Sequence, residues 1–375
     1  MKEDSRYQAA EIVSQIVADR FNQHLLLAAE RGEKNLVPAP ESSVIRKVID
    51  SAFWASLRKE EGHSPRISLV LLPPEQVSRP LLFDQRMPLS PSVLTKLSPG
   101  LERPGVHLGI WSEEGEIYIW GTTLDIPYYC FVLDVSDPAL LVIKHRRLHG
   151  FGKFANVAVL AGDQVKMVDE QSGYLPDTPS LLRSLLGYPE DEALNVLIYL
   201  SVSMRAHKHG GTLLIVPSSG EWKESIIHPM KYTLSPAYSG IKELVHKTEE
   251  ERGQAEWKSA IRKELDSIAG LTAIDGATIV NKDYELLAFG AKIASAGNGE
   301  RVKQICSYEP IVGGEAQIVN PSHSGGTRHL SAAQFIYDQR DAMAMVASQD
   351  GHFTIFTWSQ EKGMVQAHRI DTLLL

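Results

Sequence analysis

The sequence predicts an α/β chain of the α+β kind, and three observations predict it. Near the N-terminus apolar residues recur at three- and four-residue steps, the period of an amphipathic helix. From Val106 to Met167 the chain turns into short β-branched and aromatic runs separated by turn residues, which read as an antiparallel meander. The length, 375 residues, gives two domains, or three, at about 150 residues each. A junction is expected near Ile241, dividing residues 1–240 from residues 241–375.

The elements follow in order. Ala10, Val13, Ile16, Val17 and Phe21 form one stripe, continued by Leu25 to Leu27 and ended by Arg31-Gly32. A second helix is expected from Glu41 to about Glu61. Val44, Val48, Phe53 and Leu57 lie on or near one face, and Gly62 suits the left-handed C-terminal position. Arg66 to Leu72 reads as a strand stopped by Pro73-Pro74. Pro80, Pro88, Pro91, Pro99 and Pro104 make residues 75–104 irregular connecting chain or a loop-rich face. Within the meander, Glu113-Glu114-Gly115 is a hairpin connection. Leu181 to His207 is expected to be helical, and Gly211 to Pro217 a buried strand. Residues 241–266 are dense in charges of both signs, as in a solvated helix or helix pair. Strands 273–280, 285–289 and 315–319, helix 328–340 and strands 342–348 and 352–358 complete the chain.

Composition excludes several classes. With 43% hydrophobic and 22% charged residues the composition is that of an ordinary globular chain and not of a disordered one. Its 46 acidic and 38 basic residues leave a net charge of −8, so it is no broadly basic coat for nucleic acid. Cys130 and Cys306 are too few for a disulfide framework, which points to a reducing compartment or to no redox role. Polar residues interrupt the N-terminus from the start, and no uncharged apolar run reaches the ~18 residues of a spanning helix. A cytoplasmic protein without membrane or nucleic-acid partners is expected.

The phosphate-binding loop, the nucleophile elbow, the H-E-x-x-H pair and the dinucleotide fingerprint are all missing. His207 and His209 flank Lys208 before Gly210-Gly211, a pattern that reads as a turn more readily than as a metal site. Three segments stand out. Asp275-Gly276-Ala277 offers a carboxylate beside a glycine that a nucleotide can approach, or simply a turn. Ser324-Gly325-Gly326-Thr327-Arg328-His329 opens a helix with small residues, as an anion site or as an ordinary cap. Ser348-Gln349-Asp350-Gly351 ends an apolar strand with a polar corner or a plain two-strand turn. Together they are the parts of a nucleotide and divalent-metal site.

These segments resemble the diadenylate cyclase (DAC) domain, the nucleotidyltransferase family that makes cyclic di-AMP from two ATP. The family motifs D-G-A, G-T-R-H-R and S-E-E stand here as DGA at 275–277, GTRHL at 326–330 and SQD at 348–350. The resemblance covers roughly the last 120 residues, about one domain. It implies a mixed β-sheet flanked by helices, Mg²⁺ or Mn²⁺ as cofactor, ATP as substrate, and a face-to-face homodimer or higher homo-oligomer. Asp275 matches the catalytic metal-binding carboxylate, and Asp350 would be a shorter second carboxylate near the metal. Gly276 and Ala277 would line the nucleotide, and Gly326, Thr327, Arg328 and His329 would bind the triphosphate, with Arg328 and His329 catalytic. Ser348 matches the first position of S-E-E, and Ile293 takes the place of an adenine contact. Two departures stand out: Leu330 replaces the last arginine and Gln349 replaces a carboxylate, a pattern that also fits a module binding nucleotide without cyclising it. In the N-terminal part, AFWASLRKEEG (52–62) and AHKHGGTLLIVPSS (206–219) resemble the DACNV group of sensor domains, which implies a regulatory role. Ser56, Glu60, Glu61 and His63 also read as a solvated helix end.

Overall fold

The computed structural model describes residues 6–34, 36–148, 153–171, 179, 182–183, 196–218, 220–294, 300–323 and 325–375. The chain is mixed α+β, with two mixed sheets flanked by helices. It divides into two units, Met1–Val168 with Leu375, and Asp169–Leu374.

The first unit opens with helices α1 (Gln8–Glu30) and α2 (Ser42–Ser56). Their apolar stripes, including Val13, Val17, Phe21, Ile45, Val48 and Ile49, join Leu69, Leu108, Leu133 and Ile143 of the sheet in one core. The strands are β1 (Ile67–Leu71), β2 (Leu81–Pro88), β3 (His107–Glu113), β4 (Glu116–Thr123), β5 (Phe131–Asp137), β6 (Leu140–Arg146), β7 (Phe154–Ala161) and β8 (Gln164–Met167). Their spatial order is β2-β4-β3-β1-β5-β6-β7-β8. The expected meander is therefore split: β1 lies between β3 and β5, parallel to the first and antiparallel to the second. Glu114 (φ 50°) and Gly115 (φ 83°) make the expected hairpin turn, whose positive φ values suit the twist of the paired strands.

Several expectations are corrected here. Ile16 is exposed, as are Leu26 and Leu27, because the buried stripe of α1 follows Val13, Val17, Phe21 and Leu25. Helix α2 stops at Ser56 rather than near Glu61. Gly62 (φ 88°) and Glu61 (φ 49°) instead form the turn that pairs Glu60 with His63. Residues 75–104 are not irregular throughout. They hold edge strand β2, where proline is tolerated, and helix α3 (Pro91–Leu97), which Ser90 caps by accepting the Val93 N–H.

The second unit contains α4 (Val196–Ala206), β9 (Gly211–Val216), β10 (Tyr232–Tyr238), α5 (Gly240–Val245), α6 (Glu249–Arg252) and α7 (Ala255–Leu271). They are followed by β11 (Ala277–Asn281), β12 (Leu286–Ala291), β13 (Ile305–Tyr308), β14 (Gln317–Val319), α8 (Thr327–Asp338), β15 (Met343–Ala347), β16 (Phe353–Ser359), β17 (Met364–Arg369) and α9 (Asp371–Leu374). The strand order is β10-β12-β11-β9-β15-β16-β17-β13-β14. Part of the helix expected over 181–207 falls outside the described residues. The junction expected near Ile241 moves to Val168/Asp169, because β9 is hydrogen-bonded between β11 and β15 in the middle of the second sheet. The strand expected from residue 273 begins only at Ala277, since Ala273 and Ile274 are tied back to Gly270 and Leu271 in a turn. Among the described residues no helix is long and apolar enough to cross a membrane.

Candidate functional site

Strand register brings the singled-out segments to one end of the second sheet. Ala277 of β11 pairs with Thr212 of β9, and Gly211 pairs with Ala347 of β15. Because β11 runs parallel to β9 and β15 antiparallel to it, Asp275-Gly276, Gly210-Gly211 and Ser348-Gln349-Asp350 share that end.

Arg328, in the first turn of α8, ties them together. Its Nη1 lies 3.0 Å from the point where a Cβ on Gly210 would sit, and Gln349 Cγ lies 3.4 Å from that point. On the other side, Asp275 carries a side chain 91% exposed, with Lys292 Nζ 2.6 Å from its Oδ2. The hydrogen bond and charge of Lys292, then the charge of Arg328, hold the Asp275 carboxyl below the usual carboxylate range. Asp350 is shifted the same way, first by a hydrogen bond from Ser348, then by its own N–H and the nearby imidazoles of His352 and His329. Both carboxylates are thus ionised at neutral pH and solvent-facing.

Helix α8 starts on Gly326, a residue with no side chain to cap it, and no side-chain cap is found among the described residues. Gly325, Gly326 and Thr327 are exposed, so the first N–H groups of this helix face outward at its positive end. Thr327 is the first helical residue rather than the N-cap. His329 points the other way. It is 5% exposed, its Nε2 lies 3.3 Å from Thr354 Oγ1, and its ring meets Phe356 edge-on at 5.9 Å. Burial pushes its pKa down, so it is a neutral imidazole inside the unit. The structure thus turns this residue, expected to bind triphosphate, into the unit, and a Cβ on Gly325 would lie 2.6 Å from its ring.

Gly276 and Ala277 are also explained locally. Gly276 (φ 120°) lets β11 approach β12, since a Cβ there would lie 2.5 Å from the Gly290 carbonyl carbon. Ala277 is buried in the core cluster. Ile293 bridges Ile226 and packs against the same cluster. Ser348 closes its turn through Oγ, which accepts the His352 N–H at 3.0 Å. Gln349 donates to the His209 carbonyl at 3.4 Å, and Leu330 is 40% exposed. Lys292 and Gly210 were not singled out in the sequence. Lys292 carried no motif, and Gly210 read only as part of a turn.

Asp275 and Asp350 are ionised carboxylates, the kind of oxygen donor that a hard divalent cation would take, with water and phosphate oxygens filling the rest of a Mg²⁺ shell. They belong to no cluster of three or more potential ligands among the described residues.

Fold and site define a two-unit α+β protein whose second sheet ends in a charged, glycine-lined site. Residues 34–124 of the first unit match the family model described as "Probable sensor domain DACNV". AFWASLRKEEG lies inside that match; AHKHGGTLLIVPSS lies outside it and forms part of the second sheet. No curated protein matches the chain. Among solved structures, a hypothetical membrane spanning protein from Bacillus cereus aligns at 18% identity and a TM-score of 0.27. That alignment covers 47% of this chain and 63% of the other, so this chain spans less than two thirds of it. DacA from Staphylococcus aureus, in a double-mutant form, aligns at 15% identity and a TM-score of 0.24, covering 46% of this chain and 83% of that one. At these TM-scores neither likeness carries an argument.

Proposed function

We propose that the second unit is a metal-dependent diadenylate cyclase and that the first unit regulates it. The observation that carries this reading is the meeting of Asp275, Arg328 and the 348–350 corner around Gly210 at one sheet end. The matched DACNV region supports the regulatory half, since the sequence resemblance ties that group to DAC domains.

The reaction joins two ATP. The 3′-hydroxyl of each attacks the α-phosphate of the other, and two pyrophosphates leave. In this scheme Arg328 and Lys292 take the phosphate oxygens, Arg328 in the bidentate manner of a guanidinium. The bare start of α8 adds N–H donors for the same anion. Asp275 and Asp350 would hold Mg²⁺ or Mn²⁺, which would supply neutralisation of the charge on the departing pyrophosphate. His329 keeps the helix start in place from inside. One unit offers one such site, so two chains facing each other across a two-fold axis complete the ring.

The test is incubation of the purified chain with ATP and Mn²⁺ or Mg²⁺, with products read by mass spectrometry. Cyclic di-AMP is expected. A second reading, a nucleotide-binding module without turnover, draws on Gln349, whose neutral amide is engaged with the His209 carbonyl. Bound but unchanged ATP would select it.

A further inference from the structure

On the face of the first sheet turned away from α1 and α2, four adjacent strands carry a polar row instead of core residues. Ser68 on β1 stands directly opposite Asp134 on β5 and donates to its Oδ1 at 2.6 Å. Because that hydroxyl proton is used, His107 on β3, whose Nδ1 lies 2.7 Å from Ser68 Oγ, is the donor in the second bond. Lys144 on β6 pairs with Asp134 Oδ2 and sits 4.5 Å above the Phe154 ring. His107 is 5% exposed, and burial first of all pushes its pKa down to about 4, leaving a neutral imidazole.

The row forms part of the wall of a cavity of about 550 Å³. Five cations line it, Arg66, Arg103, Lys144, Arg146 and Lys153, against the carboxylates of Glu102, Asp125 and Asp134. Asp134 is taken by Lys144, and Asp125 by Arg146 at 2.8 Å. Arg103 and Lys153 are exposed at the rim and make no ion pair among the described residues. Arg66 also has a partner, Asp137 at 3.6 Å, so the surplus positive charge is Arg103 and Lys153 against Glu102. A half-open cavity with that surplus, an aromatic wall and fixed polar groups is a site for a charged small molecule.

We propose that this cavity is the ligand site of the first unit and takes a small organic polyanion bearing carboxylate or phosphate groups. The proposal rests on reading that unit as a sensor and is independent of any cyclase activity. β1 and β3 contribute from within the matched region, β5 and β6 from beyond it.

The experiment is calorimetric titration of the full chain at low salt with citrate in one arm and glycerol 3-phosphate in the other. One of the two is expected to bind once per chain, and which one names the anion chemistry. Arg103→Ala and Lys153→Ala should each weaken it about tenfold, with an unchanged melting temperature because both side chains are exposed. Arg328→Ala, at the other site, should leave this binding intact. Absence of binding by both probes overturns the proposal. So does binding that survives both rim substitutions, or binding that Arg328→Ala abolishes. None of these readouts depends on cyclic di-AMP formation, so this proposal and the cyclase reading fail separately.

Discussion

Arg328 lies against Gly210, its Nη1 3.0 Å from where a side chain on that residue would begin, and Gly210 itself sits at φ 70°. An alanine there meets strain in its own backbone and crowding from the guanidinium and from the Ala347 carbonyl at 3.2 Å. Gly210→Ala should lower stability by about 1 kcal/mol in urea unfolding and weaken ATP binding several-fold by displacing Arg328. ATP affinity equal to wild type would show that Arg328 does not hold the nucleotide.

Asp275→Asn should remove turnover without changing the melting temperature, because the side chain is 91% exposed. Lys292 holds that carboxyl below the usual carboxylate range. It is the first cause of the lowered Asp275 pKa, so in Lys292→Met the carboxyl should protonate at higher pH. The acid limb of the pH–rate profile should then move upward relative to wild type. An unmoved limb would separate Asp275 ionisation from catalysis.

Where the chain is cut should decide whether the second unit folds. A fragment starting at Asp169 keeps the whole nine-stranded sheet, whereas one starting at Ile241 lacks β9 and β10. The first should give a cooperative melt by circular dichroism and the second should not. A folded fragment from Ile241 would contradict the central role of β9.

Both units should lose stability in mild acid. Burial pushes His107 in the first unit and His368 in the second down to about 4, from an ordinary value of 6.5. On acidification the unfolded chain takes up these protons first, so their contribution is whole above about pH 6.5 and drains away towards pH 4. Each shift corresponds to ~3 kcal/mol at the acid end. His368→Gln should flatten the decline for the second unit in urea titrations between pH 7 and 4.5, and an unchanged slope would refute the assignment.

If each chain holds one ATP site, specific activity should rise with protein concentration until pairing saturates. Asp275→Asn chains mixed with wild type should reduce activity per wild-type chain through mixed pairs. Full specific activity under conditions where light scattering finds only monomer would count against a two-chain mechanism.

Periodicity made the long elements legible. Val13, Val17 and Phe21 marked α1, and the β-branched runs from Val106 marked most of the first sheet. Strand order was not legible, because nothing local in ISLVL says that β1 inserts between β3 and β5. Edge strands β2 and β10 escaped notice because their largely exposed faces need no apolar alternation. At the site, the short motifs located Asp275, Arg328 and Asp350. They could not tell that His329 turns inward, since a helix start presents neighbouring residues to opposite environments. Lys292 is read only in three dimensions, across the paired ends of β11 and β12.

Strand β9 is buried at every position, and its partners β11 and β15 lie far downstream in the chain. During synthesis GTLLIV therefore leaves the ribosome long before either neighbour exists. Its hydrogen-bonding edges stay open meanwhile, and such apolar segments with unpaired edges are the ones that associate wrongly between chains. Contacts this distant in sequence also form slowly. The same placement that lets one strand collect the residues of the candidate site leaves the nascent second unit exposed to wrong association, and its soluble yield should fall steeply with expression temperature.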